Sequence, residues 1–203
     1  IRNGGNLAFT VTGCPDCVIE NNLIIHETSM EATGIGVPSG SVRGGIADDV
    51  NTRNIIRNNT IWYGPNANNS GVGIAVGTEG TGHIIANNSV TYSGTGTGTN
   101  GPFRCFDYPL AQSDYAFIDN NHCQVAASSV WVAGQGTLAD WQAASGFDTQ
   151  SITGDPLFTA PGTDFTPGAG SPLIGAGTAA YGSALDFAGA TRPSPPAIGA
   201  YEP

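Results

Sequence analysis

Asn21-Asn22-Leu23-Ile24, Asn58-Asn59-Thr60-Ile61, Asn87-Asn88-Ser89-Val90 and Asn120-Asn121-His122-Cys123 are variants of one tetrad. Two apolar residues and one variable residue precede each: Val18-Ile19-Glu20, Ile55-Ile56-Arg57, Ile84-Ile85-Ala86 and Phe117-Ile118-Asp119. The unit reads as strand, Asn-Asn corner, strand. Asparagine tolerates the left-handed backbone that a sharp corner needs. Its amide can also bond an identical amide stacked above it, as in the ladders of in-register strands. Such a unit cannot bury its apolar face alone and needs a neighbour on each side.

The second asparagines are 37, 29 and 33 residues apart, from Asn22 to Asn59 to Asn88 to Asn121. The excess over a minimal coil falls in Gly/Ser/Thr/Asn-rich stretches: Thr28 to Ser41, Gly64 to Gly71 and Ser93 to Pro102. Solenoids tolerate such insertions. Three strands per coil are predicted: Leu7–Val11, Val18–Asn21 and Leu23–His26; Gly44–Asp48, Asn54–Asn58 and Thr60–Tyr63; Val72–Val76, His83–Asn87 and Ser89–Tyr92; Phe103–Asp107, Tyr115–Asn120 and His122–Val125. Period-2 alternation then turns Ile19, Ile56, Ile85 and Ile118 inward as one column and Ile24, Ile61, Val90 and Cys123 as another. Trp62 falls in an outward column with Ile25, Thr91 and Gln124, and Tyr63 and Tyr92 share the next.

Beyond Val125 the pattern changes. Ser129–Ala133 can form one more strand. Thr137 to Ser145 reads as a short helix, with Thr137 as N-cap, Asp140 near the positive end and Gly146 as the stop. The Pro/Gly-rich remainder reads as a wrap over the last coil's edge. The expectation is one all-β domain over residues 1–203: four to five three-strand coils over 1–133, then the helix and capping tail over 134–203.

With 203 residues, net charge −10 and no lysine, the surface repels phosphate backbones and anionic membranes. Nucleic-acid partners are thereby disfavoured, and no apolar run reaches membrane-spanning length. The 30 glycines suit a turn-rich β chain. No signal peptide or initiating Met is present, which predicts a processed or excised piece, and Ile1-Arg2-Asn3 reads as the middle of a repeat. Two disulfides, Cys14–Cys17 and Cys105–Cys123, are expected of a secreted chain. The alternative for Cys105 and Cys123 is a pair of buried free thiols.

The Asn-Asn coils and a closing run resemble the C-terminal part of secreted bacterial right-handed parallel β-helix proteins of the pectate-lyase-like superfamily. That run comprises Leu138…Trp141-Gln142, Asp155-Pro156-Leu157-Phe158, Ser171 to Gly177, Arg192-Pro193 and Ile198-Gly199-Ala200-Tyr201-Glu202. Gly175 stands where relatives usually carry Asp. The resemblance implies an extracellular or cell-surface location and polysaccharide as substrate or ligand, in a family that includes lyases. It does not identify a reaction.

Several residues are candidates for that chemistry. Lyases of this architecture use Arg or Lys as base, which singles out Arg53 and Arg57, although an outward Arg is also an ordinary solvated charge. Asp48-Asp49 with His83 resembles the carboxylates and histidine of polygalacturonase-type hydrolases, but strand neighbours point to opposite faces. Asp16, Asp49, Glu79 and Asp114 precede the second strand of successive coils, where carboxylates at one edge suit Ca²⁺. Trp62, with Tyr63 and Tyr92, can stack on sugar rings. His26, His83 and His122 occupy different columns and read as isolated surface or rim residues. Two functions follow: a secreted protein that binds or processes polysaccharide, as a lyase or glycoside hydrolase if it is an enzyme, or a structural subunit stacking end to end with itself into a fibre through an uncapped first coil.

Overall fold

The computed structural model describes residues 1–4, 7–28, 32–38, 42–43, 46–47, 50–67, 71–94, 103–109, 111–125 and 130–203. The first coil holds β1 (Leu7–Thr10), β2 (Val18–Glu20) and β3 (Leu23–His26). The second holds β4 (Ala32–Val37), a small hairpin of β5 (Val42–Arg43) and β6 (Ile46–Ala47), then β7 (Ile55–Arg57) and β8 (Thr60–Tyr63). Next come β9 (Gly71–Val76), β10 (His83–Ala86) and β11 (Ser89–Tyr92), then β12 (Arg104–Asp107), β13 (Tyr115–Asp119) and β14 (His122–Val125). These stack as three parallel sheets: β1-β4-β9-β12, β2-β7-β10-β13 and β3-β8-β11-β14, the last extended by β15 (Ile152–Thr153). The chain is a parallel β-solenoid of about three turns.

Both inward columns form as alternation predicts. Ile19, Ile56, Ile85 and Ile118 are in register, as are Ile24, Ile61, Val90 and Cys123, and all eight are buried. Burying an isoleucine is worth about 2 kcal/mol, so these columns dominate the core. Both disulfides are present; Cys105–Cys123 ties the first sheet to the third inside the last coil.

One strand prediction is corrected. The second coil's rung in the first sheet is β4, from a stretch read as loop, and not Gly44–Asp48. Ile46–Ala47 instead pairs antiparallel with Val42–Arg43 outside the solenoid. The glycines of Ala32-Thr33-Gly34-Ile35-Gly36-Val37 disguised β4 as a turn. Gly34 is there for space: a Cβ would sit 2.6 Å from the Gly73 carbonyl oxygen and 2.7 Å from Ile61 Cγ2.

The two asparagines of each corner do different work. The first, Asn21, Asn58, Asn87 and Asn120, takes the left-handed conformation, with φ of 53°, 51°, 58° and 55°. The second builds the ladder. Asn22 Nδ2 donates to Asn59 Oδ1 (2.9 Å), Asn59 Nδ2 to Asn88 Oδ1 (2.9 Å) and Asn88 Nδ2 to Asn121 Oδ1 (3.1 Å). Each of these Oδ1 atoms also accepts the backbone N–H of the preceding asparagine, at 3.0, 3.2 and 3.0 Å.

The helix α1 (Leu138–Ser145) starts at Thr137 with a capping box to Asp140 and ends at left-handed Gly146, as its sequence signals predict. It closes the end of the last coil. Around it, Val132 bridges Phe106, the Asp148 N–H bonds the Ile118 carbonyl, and Ile152 pairs with His122, so a partial rung covers all three sheets. Ser129 lies outside the described residues, and Val132 makes bridges only.

The tail after residue 155 does not cover that end, contrary to the sequence expectation; it runs lengthwise back to the first coil. The hairpin β16 (Phe158–Ala160) and β17 (Asp164–Pro167) packs with Leu173 and Ile198 over Ile25 and Trp62, forming a second apolar cluster. The first asparagines then hold the strap. Asn120 Nδ2 donates to the Ala176 carbonyl (3.0 Å), and Asn87 exchanges bonds with Thr178 (2.8 and 2.9 Å). Asn58 Oδ1 accepts the Ser183 N–H (3.0 Å), and Asn21 Nδ2 donates to the Leu185 carbonyl (2.8 Å).

Candidate functional site

Trp62 stands on β8 and points out of the coil, as its column predicts, yet only 5% of it is exposed. Phe165 of the tail meets it edge-on at 5.6 Å between ring centroids. The far rim of the indole runs beneath Gly64, where a Cβ would lie 2.5 Å from Cη2, and near Gly162, where it would lie 3.5 Å away. Here Trp62 borders a surface cavity of about 710 Å³ between the turn after β8 and the tip of the β16–β17 hairpin.

Pro65, Pro161 and the indole form its apolar wall, while Asn66, Ser93 and Thr163 bring amide and hydroxyl groups. Arg2 and Glu27 also line it as an ion pair, with Arg2 Nη2 donating to the Gly162 carbonyl at 2.7 Å. Arg2 reaches this place because residues 1–3 add a parallel rung beside β3: Ile25 N–H bonds the Ile1 carbonyl at 2.8 Å, and Asn3 N–H bonds the Ile25 carbonyl at 2.7 Å. A cavity with an apolar wall and convergent donors and acceptors suits a polyhydroxylated ligand.

The other sequence candidates go elsewhere. Tyr63 and Tyr92 lie inside the coil, each 1% exposed, against Phe103 at 4.7 and 4.3 Å. Tyr63 Oη donates to the Val72 carbonyl (3.0 Å), and burial pushes its phenol far up. Neither ring can meet a sugar. Alternation itself turns this column inward, two positions beyond inward Ile61 and Val90, so the reading of these tyrosines as sugar platforms ran against the period.

Arg53 holds Asp16 through two bonds of 2.6 Å, and this pairing lowers the Asp16 carboxyl. Arg57 bonds Glu20 at 2.6 Å and reaches the Gly182 carbonyl of the tail at 3.3 Å. Both arginines lie on the outer side of the second sheet, whereas His83 is 1% exposed, so they do not converge with His83. Asp48 and Asp49 lie outside the described residues. Among the described residues no three His, Cys, Asp or Glu side chains come together for a metal, and Asp16, Glu79 and Asp114 do not form such a group.

The histidines, read as surface or rim residues, are all buried: His26 and His83 at 1%, His122 at 0%. His26 stacks on Tyr63 at 4.9 Å. His122 Nδ1 meets Ser89 Oγ at 2.9 Å and Nε2 meets the Gly154 carbonyl at 2.8 Å. Burial lowers all three, His122 to about 4. A depressed histidine is neutral in the fold and protonated in the unfolded chain between the two pKa values, so its stability contribution disappears as pH falls from about 6.5 to about 4. His122 alone should remove about 3 kcal/mol over that window. The prediction is a lower urea midpoint at pH 4.5 than at pH 7, with a smaller difference in His122→Gln. An equal midpoint at both values would refute it. Asp148, raised by burial, acts the other way: its contribution is complete below pH 3.8 and shrinks as pH rises.

Sequence reasoning missed Asp148. It is fully buried and ends the asparagine ladder, with Oδ1 accepting from Asn121 Nδ2 (3.2 Å) and Ser151 Oγ. Its Oδ2 accepts the indole N–H groups of Trp141 (2.8 Å) and Trp131 (3.3 Å). Two tryptophans in the closing segment needed a buried acceptor, and that requirement was the available signal.

Fold and site together define a parallel β-solenoid with a lengthwise C-terminal strap and one cavity roofed by that strap's hairpin. No family model, curated protein or solved structure matches the chain. Among the described residues, no helix is long and apolar enough to cross a membrane.

Proposed function

We propose that this chain is an extracellular glycan-binding protein that takes a polysaccharide segment into the cavity beside Trp62. The cavity itself carries the reading: an indole rim and two prolines face amide, hydroxyl, guanidinium and carboxylate groups across a space large enough for sugar residues. Two disulfides support an oxidising compartment. Binding is favoured over hydrolysis because Glu27 is the only carboxylate among the described residues lining the cavity, and glycosidases need a pair.

Titration calorimetry with neutral and uronate-containing oligosaccharides tests this. Asn66→Ala combined with Ser93→Ala should weaken binding by about tenfold or more, at roughly 1 kcal/mol per lost hydrogen bond, while near-UV circular dichroism is unchanged. No heat with either glycan class, or full binding by the double variant, would overturn the reading.

A further inference from the structure

The charges at the Trp62 cavity satisfy one another. Arg2 is the only cation and Glu27 the only anion among the described residues that line it, and they form an ion pair. Arg2 Nη1 donates to Glu27 Oε2, and Nη2 donates to the Gly162 carbonyl at 2.7 Å, so both arms of the guanidinium fork have acceptors. The two side chains are 46% and 37% exposed, so a ligand in the cavity meets both ends of the pair. The lining thus sums to zero charge while offering a carboxylate, an amide and hydroxyl groups to a ligand.

Beyond the lining the balance is negative. Asp164 follows Thr163 at the start of β17, and the Thr166 N–H (2.9 Å) holds its carboxyl below the usual range. The chain carries net charge −10 and no lysine. Arg53, Arg57, Arg104 and Arg192 do not line the cavity and are paired with Asp16, Glu20, Asp107 and Glu202. The Arg43 side chain lies outside the described residues.

We infer that the cavity selects neutral glycans over uronate-containing ones, with Glu27 as the residue that sets the choice. The inference rests on the glycan-binding reading above and adds the class of sugar. A uronate carboxylate can pair with the Arg2 fork only by displacing Glu27, which then faces it without a cation. Like charges in contact repel, more strongly beside a wall of indole and proline than in open water. A neutral sugar meets no such opposition. Its hydroxyls donate to Glu27 and exchange bonds with Asn66, Ser93 and Thr163 while the ion pair stays closed. Rejection through an unpaired charge is a common source of specificity. The negative field of the whole chain acts in the same direction during approach, and salt screens it.

Titration calorimetry of the full chain, with sugars matched except for charge, tests the inference. The pairs are oligogalacturonate against its methyl ester, and oligoglucuronate against the oligoglucose of the same linkage. In at least one pair the neutral member should bind about tenfold tighter or more at low salt. Its affinity should hold between roughly 20 and 300 mM NaCl, while the gap to the uronate narrows. Glu27→Gln, with unchanged near-UV circular dichroism, leaves the guanidinium uncompensated and should move the affinity ratio toward the uronate by about tenfold or more. Asp164→Asn removes the same charge outside the lining and should move the ratio by less than about threefold. A uronate that binds as tightly as its neutral partner, or a shift in Glu27→Gln no larger than in Asp164→Asn, would overturn the inference and leave the cavity as a glycan site. No binding by any of these sugars would overturn both.

Discussion

Replacing Asn59 by leucine should remove about 4 kcal/mol of stability, the cost of leaving two or more buried polar groups unpaired. Asn59 is fully buried at the centre of the ladder. Its Oδ1 accepts two bonds from Asn22, and its Nδ2 donates to Asn88 Oδ1, to the Ile19 carbonyl (2.9 Å) and to the Arg57 carbonyl (3.0 Å). Leucine has nearly the same shape, so packing survives while the donors and acceptors of three successive coils lose partners. Its neighbour in sequence should behave differently. Asn58→Gly keeps the left-handed corner without strain and forfeits chiefly the bond from Ser183 N–H, for about 1 kcal/mol. Urea denaturation of the two variants measures the contrast. Equal losses would show that the paired asparagines share one role.

Arg192→Met is the second large effect, with an expected loss of about 3–5 kcal/mol, typical of breaking one half of a buried ion pair. The Arg192 and Glu202 side chains are 3% and 7% exposed. Besides Glu202, the guanidinium donates to Asn21 Oδ1 (2.9 Å), to the Gly199 and Ala200 carbonyls (2.9 and 3.0 Å) and to Ser183 Oγ (3.1 Å). It thus joins both ends of the strap's last stretch to the corner of the first coil. Removing it leaves the Glu202 carboxylate buried with only the Ala197 N–H as a donor at 3.0 and 3.1 Å. Limited proteolysis should then cut within residues 171–203 before the coils. Arg192→Met with Glu202→Leu should recover part of the loss, since no charge is left uncompensated. A fully resistant strap in Arg192→Met would refute the assignment.

Much of the architecture was legible because it is periodic. The Asn-Asn corners fixed the register of the second and third sheets, and alternation identified both inward columns. The capping residues of α1 marked its ends. The first sheet was less legible, because two of the six residues of β4 are glycine and Gly34 is set by the approach of Gly73 and Ile61. The candidate site was less legible still. Trp62 was found as an outward aromatic, but Arg2, Glu27 and Gly162 reach its cavity from segments far apart in the chain, and nothing local in their sequence connects them.

Taken alone, the order of residues determined that strands stack in parallel around an asparagine ladder, since the chemistry of a repeat is written in every copy. Only the tertiary structure decided what the outward surface does. The strap's course turned one face into a second core and left the cavity beside Trp62. The physical reason is that alternation separates the two sides of a strand, whereas burial depends on which distant segment comes to lie over each side.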